Sequence, residues 1–204
     1  MNVLTCEIQF FNLSFPKFYR IFDMAQDNEI AVADTSPTVD RGEFLLSMRT
    51  VPGAIAIVAA ADGDEKTGMA ATAWNSLCAD PPMLLVCINR NASAHSLIQR
   101  VKGFSVNLVP SDAQETVAIF SAQRELNGRD RFLAGHWRLG SGGQPLLNGA
   151  VAAFECDFIA EHRYGTHSIF VGKVRSLERA GDIEALLHVN GGFARAERFP
   201  ALGG

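Results

Sequence analysis

The stretch Gly68-Met-Ala-Ala-Thr-Ala-Trp-Asn-Ser-Leu-Cys-Ala-Asp-Pro-Pro82 decides how the rest of the chain is read. Ala71, Thr72, Ala73 and Ser76 are small, so a backbone here can come close to a flat ligand and offer it N–H and O–H donors. Pro81 and Pro82 then force an extended start to the apolar run Met83–Asn89. Arg90-Asn-Ala-Ser93-Ala-His-Ser96 follows. Taken by itself, the stretch is read equally well as small residues packed between two strands.

Working outward, Arg41 to Arg49 predicts a short helix with Phe44, Leu45 and Met48 on one face. Ala54 to Ala61 is nearly all apolar and closes on Asp62-Gly63, a strand ending in a turn, with Lys66 to Trp74 as its hairpin partner. Thr72 to Ala79 reads as a turn. Met83 to Ile88 is a buried strand. Ser93 opens a helix through about Val101 that Gly103 ends, and Phe104 to Val109 is a further strand. Ser111 with Gln114 forms a capping-box pattern, which predicts a helix to about Ala122. Gly128, Gly135, Gly140, Gly142 and Gly143 predict irregular structure between Gln123 and Gln144. From Ala150 the chain is strand-like: Val151–Glu161, Ser168–Glu178 and Glu184–Asn190, parted by Tyr164-Gly165 and Ala180-Gly-Asp182. Antiparallel strands with short links and few helices point to a barrel, not a doubly wound sheet.

The 204 residues suit one compact domain. A net charge of −4 without Lys/Arg clusters argues against a nucleic-acid partner. No apolar run reaches the roughly 18–20 residues that span a bilayer, so no membrane association is expected. Cys6, Cys78, Cys87 and Cys156 form no CxxC pair and read as reduced thiols of a cytoplasmic protein. Residues 1–40 differ in character. Leu4 to Phe22 is aromatic-rich but broken by Glu7, Pro16, Lys17 and Arg20, unlike a signal peptide. They read as an extension without order of its own or as a start placed upstream of Met24. Asp34–Asp40 serves as linker, and the domain proper covers 41–204.

The chain lacks a Rossmann fingerprint, a Gly-x-Ser-x-Gly elbow and a His-Glu-x-x-His pair. Gly140-Ser-Gly142-Gly143 is followed by Gln144-Pro145, which cannot open a helix well. His95, His136, His162, His167 and His188 show no metal-ligand spacing, so no metal is expected. A helix opening at Ser93 would attract an anion through its free N–H groups, helped by Arg90 and Ser96; simple capping by Ser93 is the plainer alternative. Asn89 and Asn107 end or interrupt apolar strands and point polar groups at a ligand or at a loop backbone.

Segments in a particular order carry a resemblance. They are Phe44-Leu-Leu-Ser-Met48 with Val51-Pro52, the apolar run to Asp62-Gly63, and Gly68 to Pro82. Val86-Cys-Ile-Asn-Arg90 with Ser93, Gly103-Phe-Ser-Val-Asn107, and Arg131-Phe132 with Trp137 follow. Gly149 to Cys156, Gly165-Thr-His167 and Gly172 complete the series. So arranged, the chain resembles the short-chain flavin reductases, the reductase components of two-component flavin monooxygenases. The resemblance implies a mainly β fold with a few helices: a split β-barrel with Greek-key links of the FMN-binding type, usually a homodimer. It implies NAD(P)H-dependent hydride transfer to FMN or FAD, with reduced flavin diffusing to a separate oxygenase.

It also implies a site. Gly-Thr-His167 is similar to a family Gly-x-His that puts histidine on the nicotinamide side of the flavin, making His167 the catalytic candidate. Flavin-binding candidates are Met69, Thr72, Ala73, Trp74, Asn75, Ser76, Leu77, Cys78 and Ala79, with Asn89, Arg90, Ser93, Ser96, Phe104 and Asn107. Phe193 is a candidate to stack on the nicotinamide or adenine, and Arg195 to meet a phosphate. Trp74 stands where the family usually has a serine or smaller residue, and Cys78 replaces a frequent serine. Two other readings stay open here: a flavin carrier of the same fold without turnover, and a corrinoid reductase.

Overall fold

A computed structural model of the chain describes residues 39–121, 123–133, 135–181, 184–197 and 199. The expected N-terminal extension lies outside the described residues except for its last two positions.

Helix α1 (Arg41–Arg49) forms where Asp40 Oδ1 accepts from the N–H groups of Gly42 at 2.8 Å and Glu43 at 3.1 Å, an N-cap. Its Phe44, Leu45, Leu46 and Met48 are exposed, so the expected apolar face covers nothing in the described chain. The remaining elements are β1 (Gly53–Ala54), β2 (Ala56–Asp62), β3 (Glu65–Ala71), β4 (Trp74–Ala79), β5 (Pro82–Asn89), α2 (Ser93–Val101), β6 (Gly103–Leu108) and α3 (Gln114–Phe120). A short 3-10 helix (Gly128–Phe132) precedes β7 (Trp137–Leu139), β8 (Pro145–Leu147), β9 (Ala152–Tyr164), β10 (His167–Arg179), β11 (Leu186–Val189) and β12 (Gly192–Arg195).

The main sheet runs β3-β2-β6-β9-β10-β5-β4; a second runs β1-β11-β12, and β7 pairs with β8. All of these pairings are antiparallel. Neighbours such as β2–β6 and β10–β5 are far apart in sequence, which gives the split-barrel crossover pattern. β2 explains why the sheet bends around two cores. Ala56, Val58 and Ala60 face one cluster with Phe104, Phe170 and the α2 residues Ala94, Leu97 and Ile98. Ile55, Ile57 and Ala59 face another with Val117, Ile119, Phe120 and Phe132. A strand buried on both faces needs the unbroken apolar run seen there.

Four expectations are corrected. Thr72–Ala79 is not a turn: only Thr72-Ala73 links β3 to β4, and β4 pairs along β5 as the sheet's edge. Because Asn75 to Ala79 are exposed whichever face they take, β4 has no buried alternation to announce a strand. The left-handed residue after α2 is Lys102 (φ 54°), not Gly103. Gly103 starts β6, where a Cβ would crowd Gln144 Nε2 at 3.2 Å. Ser111 does not cap α3; Ala113 holds that place, and Gln114 Nε2 donates to the Ser111 carbonyl. Within 123–144 the 3-10 helix and β7 add order where irregular structure was expected.

Candidate functional site

One corner of the main sheet gathers the start of β10, the end of β5, the first turn of α2 and the Thr72-Ala73 link. β10 pairs with β5 so that His167 lies opposite Asn89. The Arg90 N–H donates to the Thr166 carbonyl at 3.0 Å, and its guanidinium reaches the Gly165 carbonyl at 3.4 Å. Across β5, the Ala73 carbonyl accepts from the Cys87 N–H at 2.8 Å. Asn89 Oδ1 accepts from the Asn91 N–H at 2.9 Å and shapes the turn into α2, the loop-backbone role anticipated as one of its two readings.

Ser93 is the first helical residue, not the cap. The cap position falls to Ala92, which has no side-chain acceptor. Ser93 Oγ instead meets Thr67 Oγ1 at 2.6 Å, and Ser96 Oγ donates to the Ser93 carbonyl at 3.2 Å. Helix α2 therefore begins without a capping side chain, with Arg90 three residues ahead. An uncapped N-terminus beside a guanidinium suits a phosphate. His167 is exposed, and its ring is steadied by Thr166 Oγ1, 2.9 Å from Nδ1.

Thr72 also lines a half-open cleft of about 380 Å³ with Ile55, Ala70, Ala71, Val117, Ser121, Gln123, His188, Gly191, Gly192 and Phe193. That volume lies within the range of small-molecule sites, about 300–1,000 Å³. Phe193 borders a second cleft with Ser111, Asp112, Gln114, Leu186, Ala194 and Arg195. Thus Phe193 and Arg195 both reach open clefts. Sequence reading missed Ile55, Ser121, Gln123 and His188 as wall residues. One signal was available: Asn190-Gly191 is a two-residue hairpin loop with φ of 52° and 80°, joining β11 to β12.

The remaining candidates on β4 lead away from this corner by degrees. Ser76, Leu77, Cys78 and Ala79 run away along the exposed edge of β4; at ~3.3 Å per residue, Ala79 stands roughly 20 Å beyond Ala73. Asn75, at the near end of that strand, is exposed and opposite Leu85. Cys78 donates its thiol to the Pro81 carbonyl. Trp74 is half-buried: its indole N–H donates to the Ala54 carbonyl at 2.9 Å and its ring packs near Phe154. Met69 packs on the first core cluster.

Phe104 and Asn107 are corrections. Phe104 is fully buried, its ring filling the space above Gly172, and has no surface to give a cofactor. Asn107 is fully buried too. Its Nδ2 lies within bonding distance of the Ile57 carbonyl, Ser105 Oγ and the Pro145 carbonyl, and its Oδ1 accepts from the Leu147 N–H. It is a tie between β6 and β8. The glycine cluster at 140–143 serves a buried carboxylate: Gly142 N–H and Gln144 N–H donate to Glu155 Oε1.

The sequence matches the flavin reductase like domain family over residues 48–197, most of the chain, and the protein belongs to that family. It is 33% identical to the reductase component of an FADH(2)-dependent resorcinol hydroxylase of Rhizobium sp. (strain MTP-10005), over 75% of this chain and 86% of the relative. It is 31% identical to the FMN reductase (NADH) RutF of Stutzerimonas stutzeri, over 75% and 87%. Among solved structures, the NADH:FAD oxidoreductase SgcE6 of Streptomyces globisporus C-1027 superposes with a TM-score of 0.73 at 27% identity, over 81% of this chain and 99% of that one.

Proposed function

We propose that the protein is an NADH-dependent flavin reductase that reduces FMN or FAD and releases it to a separate flavin-dependent oxygenase. One observation carries the reading. An exposed, hydroxyl-steadied imidazole, His167, stands at the same sheet corner as an uncapped helix start and a guanidinium, which suits a flat ring with an anionic tail. Hydride passes from nicotinamide C4 to flavin N5, carrying two electrons, so the cofactors supply the chemistry and the protein supplies alignment. Arg90 and the first turn of α2 hold the phosphate. Thr72 and Ala73 lie against the ring, and His167 orients the nicotinamide or offers a proton or hydrogen bond beside the flavin. Phe193 stacks on the nicotinamide or adenine and Arg195 meets a phosphate across the neighbouring clefts.

The family relatives named as reductase components support the oxygenase partner. Residues 41–204 form the catalytic domain in this reading, and the active species is a homodimer. Exposed Phe44, Leu46 and Leu77 are the apolar surfaces that a second copy would cover. The cytoplasm is the proposed location: the three described cysteines are unpaired, and no described helix is long and apolar enough to cross a membrane. A steady-state assay crossing FMN and FAD with NADH and NADPH tests the activity and picks the pair. NADH consumption that does not depend on either flavin rejects it.

A further inference from the structure

Beneath the exposed His167 lies a buried polar cluster that the proposed reaction does not use. Successive residues of a strand point to opposite faces. Ser168 therefore faces inward, fully buried, while His167 faces out. Ser168 Oγ donates to Glu161 Oε1 at 2.7 Å and lies 2.9 Å from His95 Nε2, itself 3.1 Å from the same carboxylate oxygen. Gln99 Nε2 donates to Glu161 Oε2 at 2.6 Å, and Arg163 Nε to Oε1 at 3.1 Å. His95 and Gln99 are four residues apart on α2 and so share one helix face.

Serine, histidine and glutamate together suggest a hydrolytic triad, but the hydrogen bonds run the wrong way. Burial opposes the Glu161 charge, yet the donors from Ser168, Gln99 and Arg163 outweigh it and hold the carboxyl at about 2. Burial, helped by the Arg163 and Arg90 charges, lowers the His95 imidazole more than Glu161 raises it. A neutral imidazole facing an anion donates from Nε2, and the Ser168 proton is committed to Glu161. A nucleophilic serine must instead hand its proton to the imidazole, and must be reachable. Ser168 meets neither condition.

The cluster does something else. It ties α2 to β9 and β10 next to the two features the proposed site needs. The apolar contacts of α2, through Ala94, Leu97 and Ile98, hold the helix to the sheet but carry no direction. Hydrogen bonds do have direction and set where along the sheet the helix stops. We propose that His95, Glu161 and Ser168 are positioning residues that fix the spacing between the phosphate-binding start of α2 and His167. The inference rests on the reductase reading. Hydride transfer tolerates little error: a displacement of about 1 Å can cost ~100-fold in rate.

The test compares His95→Phe, which removes the Nε2 donor, with His95→Gln, which puts an amide donor near the same point; Ser168→Ala is a second probe. Steady-state turnover with NADH and FMN, FMN affinity by flavin fluorescence, and thermal midpoints are measured for all, beside the wild type. We expect H95F and S168A to lose at least ~10-fold in kcat with FMN Kd changed less than ~3-fold, and H95Q to recover most of that loss. If H95F and H95Q turn over alike, or if kcat holds while only the midpoint falls, the positioning role is wrong and the reductase reading stands. A wild-type chain that binds FMN but consumes no NADH removes both.

Discussion

Replacing Glu155 should destabilise the fold by an amount its surroundings allow to be worked out. Glu155 is 1% exposed, and its carboxylate accepts from Gly142 N–H at 2.8 Å, Gln144 N–H at 3.0 Å, and Ser141 and Ser176 hydroxyls at 3.1 Å each. In Glu155→Ala these donors fare differently. Gly142 and Ser141 are exposed and can turn to water, and the Ser176 hydroxyl can rotate. The Gln144 N–H is buried and stays unpaired, at a cost of about 1–3 kcal/mol, and the void left by the side chain adds ~1 kcal/mol. A total of about 3 kcal/mol corresponds to a fall of roughly 6–12 °C for a chain of this size. Glu155→Gln keeps an oxygen for both N–H groups and should cost about 1 kcal/mol.

The pH dependence has a definite sign. Burial raises the Glu155 pKa, but the backbone N–H groups of Gln144 and Gly142 and the two hydroxyls more than reverse that, so it titrates below the ordinary glutamate value. Its stabilising contribution is therefore present at neutral pH, above the unfolded value of ~4.3, and is lost as pH falls through the folded one. Urea melts of wild type and both variants at neutral pH and near pH ~4 should show the E155Q gap shrinking on acidification. Equal midpoints for E155A and wild type at neutral pH, or a gap that widens in acid, would refute this reasoning.

Three further outcomes are expected. His167→Ala should lower kcat by ~10–100-fold while FMN affinity by fluorescence titration stays within a few-fold, and an unchanged kcat would strip His167 of its role. Gly172→Ala would put a Cβ 2.5 Å from Phe104 Cζ and 2.8 Å from Cys156 Cβ, so its urea midpoint should report a loss of ~1–3 kcal/mol, and a wild-type midpoint would contradict the packing. Brief alkylation followed by peptide mapping should label exposed Cys78 well ahead of Cys156, whose thiol burial pushes up to about 12, with Cys87 also raised by burial; labelling of Cys156 first would contradict the burial.

What could be read from the sequence follows from how each element is buried. Ile55 to Ala61 is apolar without a break because β2 is covered on both faces, and this needs no knowledge of its neighbours. Helix α2 and the long strands β9 and β10 were legible because their periods run over nine to thirteen residues. β4 was not: as an exposed edge it buries no alternate residue, so Trp74–Ala79 carries no period. The site divides the same way. Arg90 and His167 reach the open corner because turns set them there, and turns announce themselves. Phe104 and Asn107 sit in a strand flanked by β2 and β9, and which way a strand residue faces depends on partners distant in sequence. The cleft wall draws on Ile55, Ala70, Val117 and His188, four segments that only the folded sheet assembles.

A flavin reductase must move electrons from a nicotinamide to an added flavin. Mixing purified, flavin-free protein with NADH should give little loss of NADH absorbance, and adding FMN or FAD should start steady consumption whose rate scales with protein. No consumption with either flavin, or the same rate without one, would contradict it.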